Sequence, residues 1–507
     1  MSASVAAGAQ GVADAMRYSE QFYYGSARTM AMGNAFTALG GDIGALGINP
    51  ASSALYNCCE FSVTGGLLWN NTTTNLYTSG DVYQQNASRT NFSIPNIGIV
   101  LNMPTGKESG VVSYSFGFSL TKTNHFRGRT CFGGYDGGNS LLGNIAANLE
   151  GVDNSYLTAD DAYTQGVVTS QEILAYDTYL VNPYNGSSSS YIGATENEWD
   201  GGLGVENDLY KSYNEATSGG IRDMQFNAGM NINDRLYLGA NFNVKMIDYE
   251  DDLWYSEEAQ SGDYYDTGFR NMSYNYWQRT SGVGANLQLG AIWNPVNCLR
   301  LGVSYTTPTL YSLTDSWQEY MESGFDGTNS ACKSAQSQSP LRSCEYMLRA
   351  PSRISVGAAL VFGRSGLLSA DYETVNYSNI EMYDSNNNAN TYRDVNDAIK
   401  TDCTKGTIFR LGGEMNVLND VALRAGYNRF NYQNQYSYRY ISFGIGKRVR
   451  ENCSIDLAFR RRLKDSFNFQ PYGDYAPDEY GINQCTAPTA AVGTTLSDLV
   501  LTYRVKF

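Results

Sequence analysis

Strict period-two alternation at the end of the chain constrains the fold more than any other feature. Over residues 496–507, Leu499, Leu501, Tyr503, Val505 and Phe507 take one parity, and Asp498, Thr502, Arg504 and Lys506 take the other. Only Leu496 and Val500 are out of place. Successive side chains of a strand point to opposite faces, so this pattern belongs to a strand whose faces meet different media. An aromatic carboxyl terminus with cations on the polar face suits a barrel wall between lipid and a wet interior.

The pattern recurs in about fourteen segments, each near the roughly 9–11 residues that a tilted strand needs to cross a bilayer. In 235–247, Leu236, Leu238, Ala240, Phe242, Val244 and Met246 face one way, and Tyr237, Gly239, Asn241, Asn243 and Lys245 the other. Segment 111–121 alternates as cleanly. Similar sets occupy 223–232, 282–293, 353–360, 368–373, 409–415, 421–428 and 455–460, with weaker ones at 61–70, 91–102, 300–306 and 437–446. The connections sort into two kinds. Those near 103–109, 232–235, 294–299, 362–366, 417–420 and 447–452 are short and rich in turn residues. The alternate ones, near 71–89, 124–221, 248–272, 308–345, 376–404, 431–436 and 463–495, are mostly long. Short turns on one side and long loops on the other are expected of a transmembrane antiparallel β-barrel, and an even strand count puts both chain ends on the short-turn side.

Composition agrees by exclusion. No run of about 18 apolar residues occurs, which excludes membrane-spanning helices. The net charge of -15 argues against nucleic acid, whose phosphates require basic neutralisation. Residues 126–220 carry 13 Asp and Glu against 3 Lys and Arg, a balance of -10, so the acidity belongs mainly to the longest loop. The nine cysteines have no metal-ligand spacing, and no metal or cofactor is expected. Cys332 and Cys344 are expected to form a local disulfide. His125 is the one histidine and stands in no catalytic signature, so the chain is not expected to be an enzyme.

One strand breaks its own parity. Phe92 and Ile94 are even, whereas Ile97, Ile99 and Leu101 are odd, and the slip falls at Pro95-Asn96. Proline removes a ladder donor and a bulge inserts an extra residue. A bulge there is the expected place for a side opening in the wall. Tyr274, Tyr276, Tyr436, Tyr438, Tyr440 and Trp277 fall near strand ends and are expected in an interfacial girdle. Asp371 with Glu373, Arg410 with Glu414, and Arg504 with Lys506 share inward parity, either tuning what passes or pairing around a filled lumen.

Residues 10–58 do not alternate. They run through the Gly/Ala-rich stretch 25–47, which holds Gly33 and Asp42, and end on Asn49-Pro50-Ala51. Such small residues allow close backbone packing, and the segment is expected to plug the lumen of the barrel formed by 59–507. Residues 1–9, with Ala7-Gly8-Ala9 before Gln10, have the small-x-small form of a cleavage site and are expected to be the tail of an export signal.

On these residues, together with the strand count and terminal Phe507, the chain resembles the FadL/TodX family of outer-membrane transporters for long-chain fatty acids and other hydrophobic molecules. The resemblance implies an amino-terminal hatch, with Gly33, Asp42, Asn49, Pro50 and Ala51 among its residues. It also implies a binding pocket above the hatch, an apolar collecting groove among the outer loops, and lateral release through the wall. Leu141, Leu142, Ile145 and Leu149 recur at helical spacing in the acidic loop and are candidates to line that groove. Pro95 and Asn96 are the candidates for the lateral opening. The expected partners are outer-membrane lipid and a hydrophobic ligand. The alternative is a scaffold that holds other outer-membrane proteins through its long acidic loop.

Overall fold

Alternation over fourteen segments closes into a cylinder. The structure is a computed structural model that describes residues 10–78, 80–199, 202–327, 332–418, 420–432, 436–476 and 484–507. The export-signal remnant expected at 1–9 lies outside the described residues. The wall has fourteen antiparallel strands. They are β1 (Glu60–Tyr77), β2 (Val82–Pro104), β3 (Val111–His125, continued as Gly128–Asp136), β4 (Leu209–Ile232), β5 (Leu236–Ala259), β6 (Phe269–Val296) and β7 (Leu299–Thr306, continued as Thr309–Phe325). They continue as β8 (Arg342–Ala350 and Arg353–Val361), β9 (Gly366–Asn376), β10 (Lys405–Leu418), β11 (Val421–Tyr432), β12 (Tyr436–Arg450), β13 (Cys453–Phe469) and β14 (Thr489–Lys506). β14 pairs with β1 from Glu60↔Lys506 to Tyr77↔Thr489, which closes the barrel and leaves no open edge there.

The two faces are chemically sorted as the alternation requires. On β3, Tyr114, Phe116 and Phe118 are exposed outward while Ser115 and Ser119 are buried inward. On β5, Phe242 is outward, with Asn241, Asn243 and Lys245 buried inside. Phe118, Phe226 and Phe242 are cross-strand neighbours on the lipid face, with ring centroids 5.3 and 6.5 Å apart.

The strands are longer than the sequence pattern suggests. Residues 71–77 and 82–89, expected in a loop, continue the β1–β2 ladder as far as Tyr77↔Val82. The outer face of this hairpin is largely polar beyond the bilayer, and inside only Leu76 and Tyr83 join the cap core, so the lipid-derived alternation that marks the rest of the wall is absent. The loop expected over 308–345 is likewise largely strand. The expected tyrosine girdle also changes place. Tyr274 and Tyr440 are buried on inward parity, and the Tyr274 hydroxyl donates to Glu319 at 2.8 Å. The ring fills the lumen and its polar tip finds a carboxylate there rather than the headgroup zone. The side chain of Tyr436 lies outside the described residues.

Toward the long-loop end, residues 137–199 and 202–208 form a cap rather than an open crown. Helices Leu141–Leu149 and Ser170–Asp177, with short hairpins, share a core with Phe132, Tyr213, Phe469 and Tyr472 of the upper wall. The first helix begins where Ser140 accepts the Leu142 N–H and Glu257 accepts the Leu141 N–H at 2.8 Å. A carboxylate is favourable at that helix end. Beneath it, fully buried Lys211 donates to Asp136 at 2.8 Å and to the Asn139 carbonyl at 2.9 Å. Lys211→Ala leaves Asp136 buried without its cation and loosens the cap locally by about 1–3 kcal/mol. The expected readout is faster proteolysis within 137–208 with unchanged thermal unfolding of the barrel. Cys344 is a free thiol, so the expected Cys332–Cys344 disulfide is not formed. Cys332 instead donates to the Ser334 carbonyl at 3.0 Å, and the Cys344 sulfur lies 3.8 Å from the Tyr392 hydroxyl.

Candidate ligand cavity above an internal plug

Residues 12–56 lie inside the barrel, and their small side chains bring backbone against wall. Asn49 organises one corner. Its amide donates to Thr37 O at 2.6 Å and to Ala291 O and Val303 O of β6 and β7, while its Oδ1 accepts the Ala51 N–H at 3.0 Å. Pro50 opens the 3₁₀ turn Pro50–Leu55, where its missing N–H costs nothing. The Pro50 carbonyl accepts from Asn227 of β4. Gly33 adopts φ +61, and a Cβ there would stand 2.9 Å from the Tyr427 carbonyl. Only glycine satisfies both demands. Asp42 accepts from Ser26 Oγ at 2.6 Å and the Gly44 N–H at 2.9 Å, and pairs with Arg504 at 3.0 Å.

The wall meets the plug with a belt of inward glycines that the sequence reading did not single out. Virtual Cβ atoms on Gly239, Gly290, Gly302, Gly412 and Gly426 would lie 1.9–2.4 Å from plug atoms. These positions share lumen parity on β5, β6, β7, β10 and β11, and that parity was the available signal. Charges seal the remaining arc. Arg28 and Arg424 hold Glu414, Arg424 and Arg504 share Asp456, and Arg353 and Arg410 converge on Glu373. The inward charges read from the sequence are thus paired filling, apart from Asp371, which accepts from Thr37 of the plug, and Lys506, which is exposed at the strand end.

Directly above helix Val12–Ser19 lies a cavity of about 420 Å³. Met16, Tyr432, Tyr438 and Phe467 supply its apolar surface, and Arg17, Glu20, Arg462 and Asp465 its charges. Arg17 pairs with Asp14 and stands 4.4 Å over the Tyr249 ring. Arg462 lies 5.0 Å over the Tyr438 ring. Burial pushes the Glu20 carboxyl up to about 7, against the opposing pull of Arg353, Arg462 and Arg17. Of these cavity residues the sequence reading named only Tyr438, and that for an interfacial girdle, because they come from segments distant in the chain.

The parity slip at Pro95-Asn96 is a bulge. Thr64 pairs with Asn96 and Gly66 with Ser93, so Ile94 and Pro95 stand opposite Gly65. Asn96↔Thr121 is also the uppermost rung between β2 and β3. Above it β2 pairs only with β1, and plug residues take the freed β3 edge, with the Phe22 N–H donating to Thr123 O at 2.7 Å and the Tyr24 N–H to Lys122 O at 3.3 Å. Pro95 and Asn96 are themselves buried at the base of this gap. Polar contacts span its upper part: Arg127 to Asn91 at 2.6 Å, Asn70 to Arg127 O at 3.0 Å, and Arg89 to Thr217 O at 2.8 Å.

The collecting groove is corrected. Leu141, Leu142, Ile145 and Leu149 are at most 1 % exposed, packed into the closed core of the cap. Each buried Leu or Ile contributes about 1.5–3 kcal/mol to folding, which favours a closed core over an open apolar groove. His125 packs edge-on against Tyr24 at the plug and faces no nucleophile or carboxylate partner in hydrogen-bond contact among the described residues. No group of His, Cys, Asp and Glu that could hold a metal occurs among the described residues.

No protein-family model matches the chain, and no curated protein does. Solved structures do. A Pseudomonas aeruginosa FadL homologue is 11% identical with a TM-score of 0.51, covering 96% of this chain and 98% of its own. The Pseudomonas putida toluene transporter TodX is 13% identical with a TM-score of 0.51, covering 96% and 99%. Likeness at that identity speaks to architecture. The chain is thus a fourteen-stranded β-barrel with the fold of the FadL homologue and TodX structures.

Proposed function

We propose that the protein carries hydrophobic small molecules of the long-chain fatty acid kind into the cell envelope. The ligand would occupy the cavity above the plug and leave sideways through the β2–β3 gap above Pro95-Asn96. The observation that carries this reading is the seal below the cavity. Glycine contacts and buried ion pairs join plug to wall on most strands, so passage straight down would require breaking many of them together. Thr217, whose carbonyl accepts from Arg89 across the upper β2–β3 gap, lines the cavity, and a route there displaces at most the 22–24 segment rather than the whole plug. The carboxyl terminus, beside Cys59 on the short-turn side, would be periplasmic, whereas Gln10 accepts from Tyr392 of the long outer connection 376–404 at 2.8 Å, so the plug enters the barrel from its upper half.

The cavity makes a pH prediction. Below about 7 Glu20 is neutral and the charge of Arg17 and Arg462 is less compensated; above it Glu20 ionises and offsets them. An amphipath with an anionic head therefore binds tighter at pH 6 than at pH 8, by about five-fold for roughly 1 kcal/mol from one partly screened charge. Glu20→Gln binds tightly at both. Displacement of a fluorescent dodecanoate in detergent measures it, and no saturable binding at either pH would overturn the reading. The Glu20 pKa lies above its ordinary 4.5, so its contribution to stability is present at low pH and lost as pH rises from 4.5 to about 7.

The scaffold reading draws on a different observation. The acidic segment 126–220 closes the external mouth instead of presenting a groove, and its outer surface is available for a protein partner. A stoichiometric protein retained through detergent extraction from native membranes, and released when 137–208 is shortened, would favour it.

A further inference from the structure

The wall breaks a second time, across three neighbouring strands at one height. Thr306 pairs with Arg353 and Thr309 with Ala350, so the β7–β8 register is continuous, yet the two positions between them on each strand carry no rung. Those positions are Thr307-Pro308 facing Pro351-Ser352. Neither proline has an N–H to donate, so the gap is written into the covalent chain. On the other side of β8 the ladder to β9 ends at Arg353↔Val375. Pairing resumes only at Arg349↔Glu381, after the turn Tyr377–Asn379.

A crevice of about 10 Å³, room for about one water, lies inside this break and a much larger groove outside it. Inside, a narrow crevice on top of the plug is lined by Tyr18, Glu20, Lys245, Thr309, Tyr311 and Pro351. Glu20 also borders the large cavity, so the two spaces adjoin. Outside, a groove of about 420 Å³ is lined by Pro308, Leu310, Met347, Leu348 and Tyr383. Leu310, at 63 % exposure, faces lipid. Arg349, paired with Glu381 at 3.6 Å, and Asn387 form the polar edge of an otherwise apolar groove. Tyr311 borders both spaces. Its ring lies flat on β6, where a Cβ on Gly284 would be 2.2 Å away, and its hydroxyl makes no hydrogen bond among the described residues. The side chain is held by packing alone.

We infer that the β7–β8 break is a second side passage through the wall, closed by Tyr311 and suited to neutral apolar molecules. The inference rests on the transport reading, and the chemistry of the two gaps divides the traffic. The β2–β3 gap is spanned by Arg127, Arg89 and asparagines, groups that favour a polar or charged head. The β7–β8 groove offers mostly hydrocarbon contact, with Arg349 and Asn387 at its rim, so a molecule without a head group loses little by entering it.

A diazirine-bearing dodecanol, photolysed with the full chain in lipid vesicles and mapped by peptide mass spectrometry, tests it. The expected result is adducts at cavity residues such as Met16 and at the crevice residues Tyr18 and Tyr311. Repairing the ladder with the double substitution P308V/P351V restores two donors that favour the closed wall. Crevice adducts then fall by about ten-fold, while cavity adducts persist. Tyr311→Ala, which removes the closing ring without touching the ladder, raises crevice labelling. Unchanged crevice labelling in both variants, or adducts confined to 91–96 and 121–127, overturns the second passage. Absence of cavity adducts in the wild-type chain overturns the transport reading instead. Heat-dependent gel mobility identical to wild type verifies that each variant is folded.

Discussion

Glu373→Ala lowers the unfolding free energy by about 3–5 kcal/mol, the cost of leaving buried cations without their anion. Glu373 is fully buried on β9 and accepts from Arg353 at 3.1 Å, from the Tyr23 hydroxyl at 3.1 Å, from Ser355 at 3.2 Å and from Arg410. Two wall strands and the plug therefore meet on one carboxylate. Its removal strands Arg410, whose guanidinium is also buried and stacks 4.6 Å from the Tyr23 ring. Glu373→Gln keeps oxygen and shape while removing charge, and falls between wild type and alanine. Denaturant unfolding in detergent, followed by tryptophan fluorescence, gives the comparison. A loss under about 1 kcal/mol for alanine would mean that water or a neighbouring acid compensates the arginines, and the plug would be held far less firmly than argued here.

Gly302→Val unseats the plug. Its Cβ would stand 2.0 Å from the Thr37 carbonyl, which is backbone and cannot rotate away. Thr37 is held in turn by Asp371, which accepts its N–H and its hydroxyl at 2.8 Å, and by the Asn49 amide. Valine suits a strand, so the wall ladder itself is undisturbed and the strain falls on the plug. Overpacking of this kind costs about 1–3 kcal/mol and more where neither side can yield. The expected outcome is a rise in ion conductance across a planar bilayer, toward that of a chain lacking residues 10–58. Gly413→Val, next to the flexible Leu368 side chain at 3.1 Å, is the matched control and changes conductance little. Equal conductance for Gly302→Val and wild type would show that the plug is not the seal.

The strands that cross lipid were legible because two solvents impose a two-residue period. Phe242 must face lipid and Asn243 must not, and no other fold class needs that in fourteen places. Where only water or the cap touches the wall the period disappears. The Asn71 to Asn75 stretch therefore read as loop although it is strand. The bulge at Pro95 was legible because a missing donor and a parity slip coincide. The helix Leu141–Leu149 was legible from its spacing, but not what covers it, since an apolar stripe looks alike against an open groove and a closed core.

Local pattern by itself determined the barrel, its strand number, the position of one wall defect and the candidate plug segment, because each follows from constraints between near neighbours. Only the tertiary structure decided how firmly the plug is seated, where the cavity lies and that a second break exists. Gly302 meets Thr37, Arg504 meets Asp42, and Met16 shares a cavity with Tyr438 across hundreds of residues of chain. Contacts of that kind arise from closure of the cylinder, which brings together positions whose separation in sequence carries no local signal.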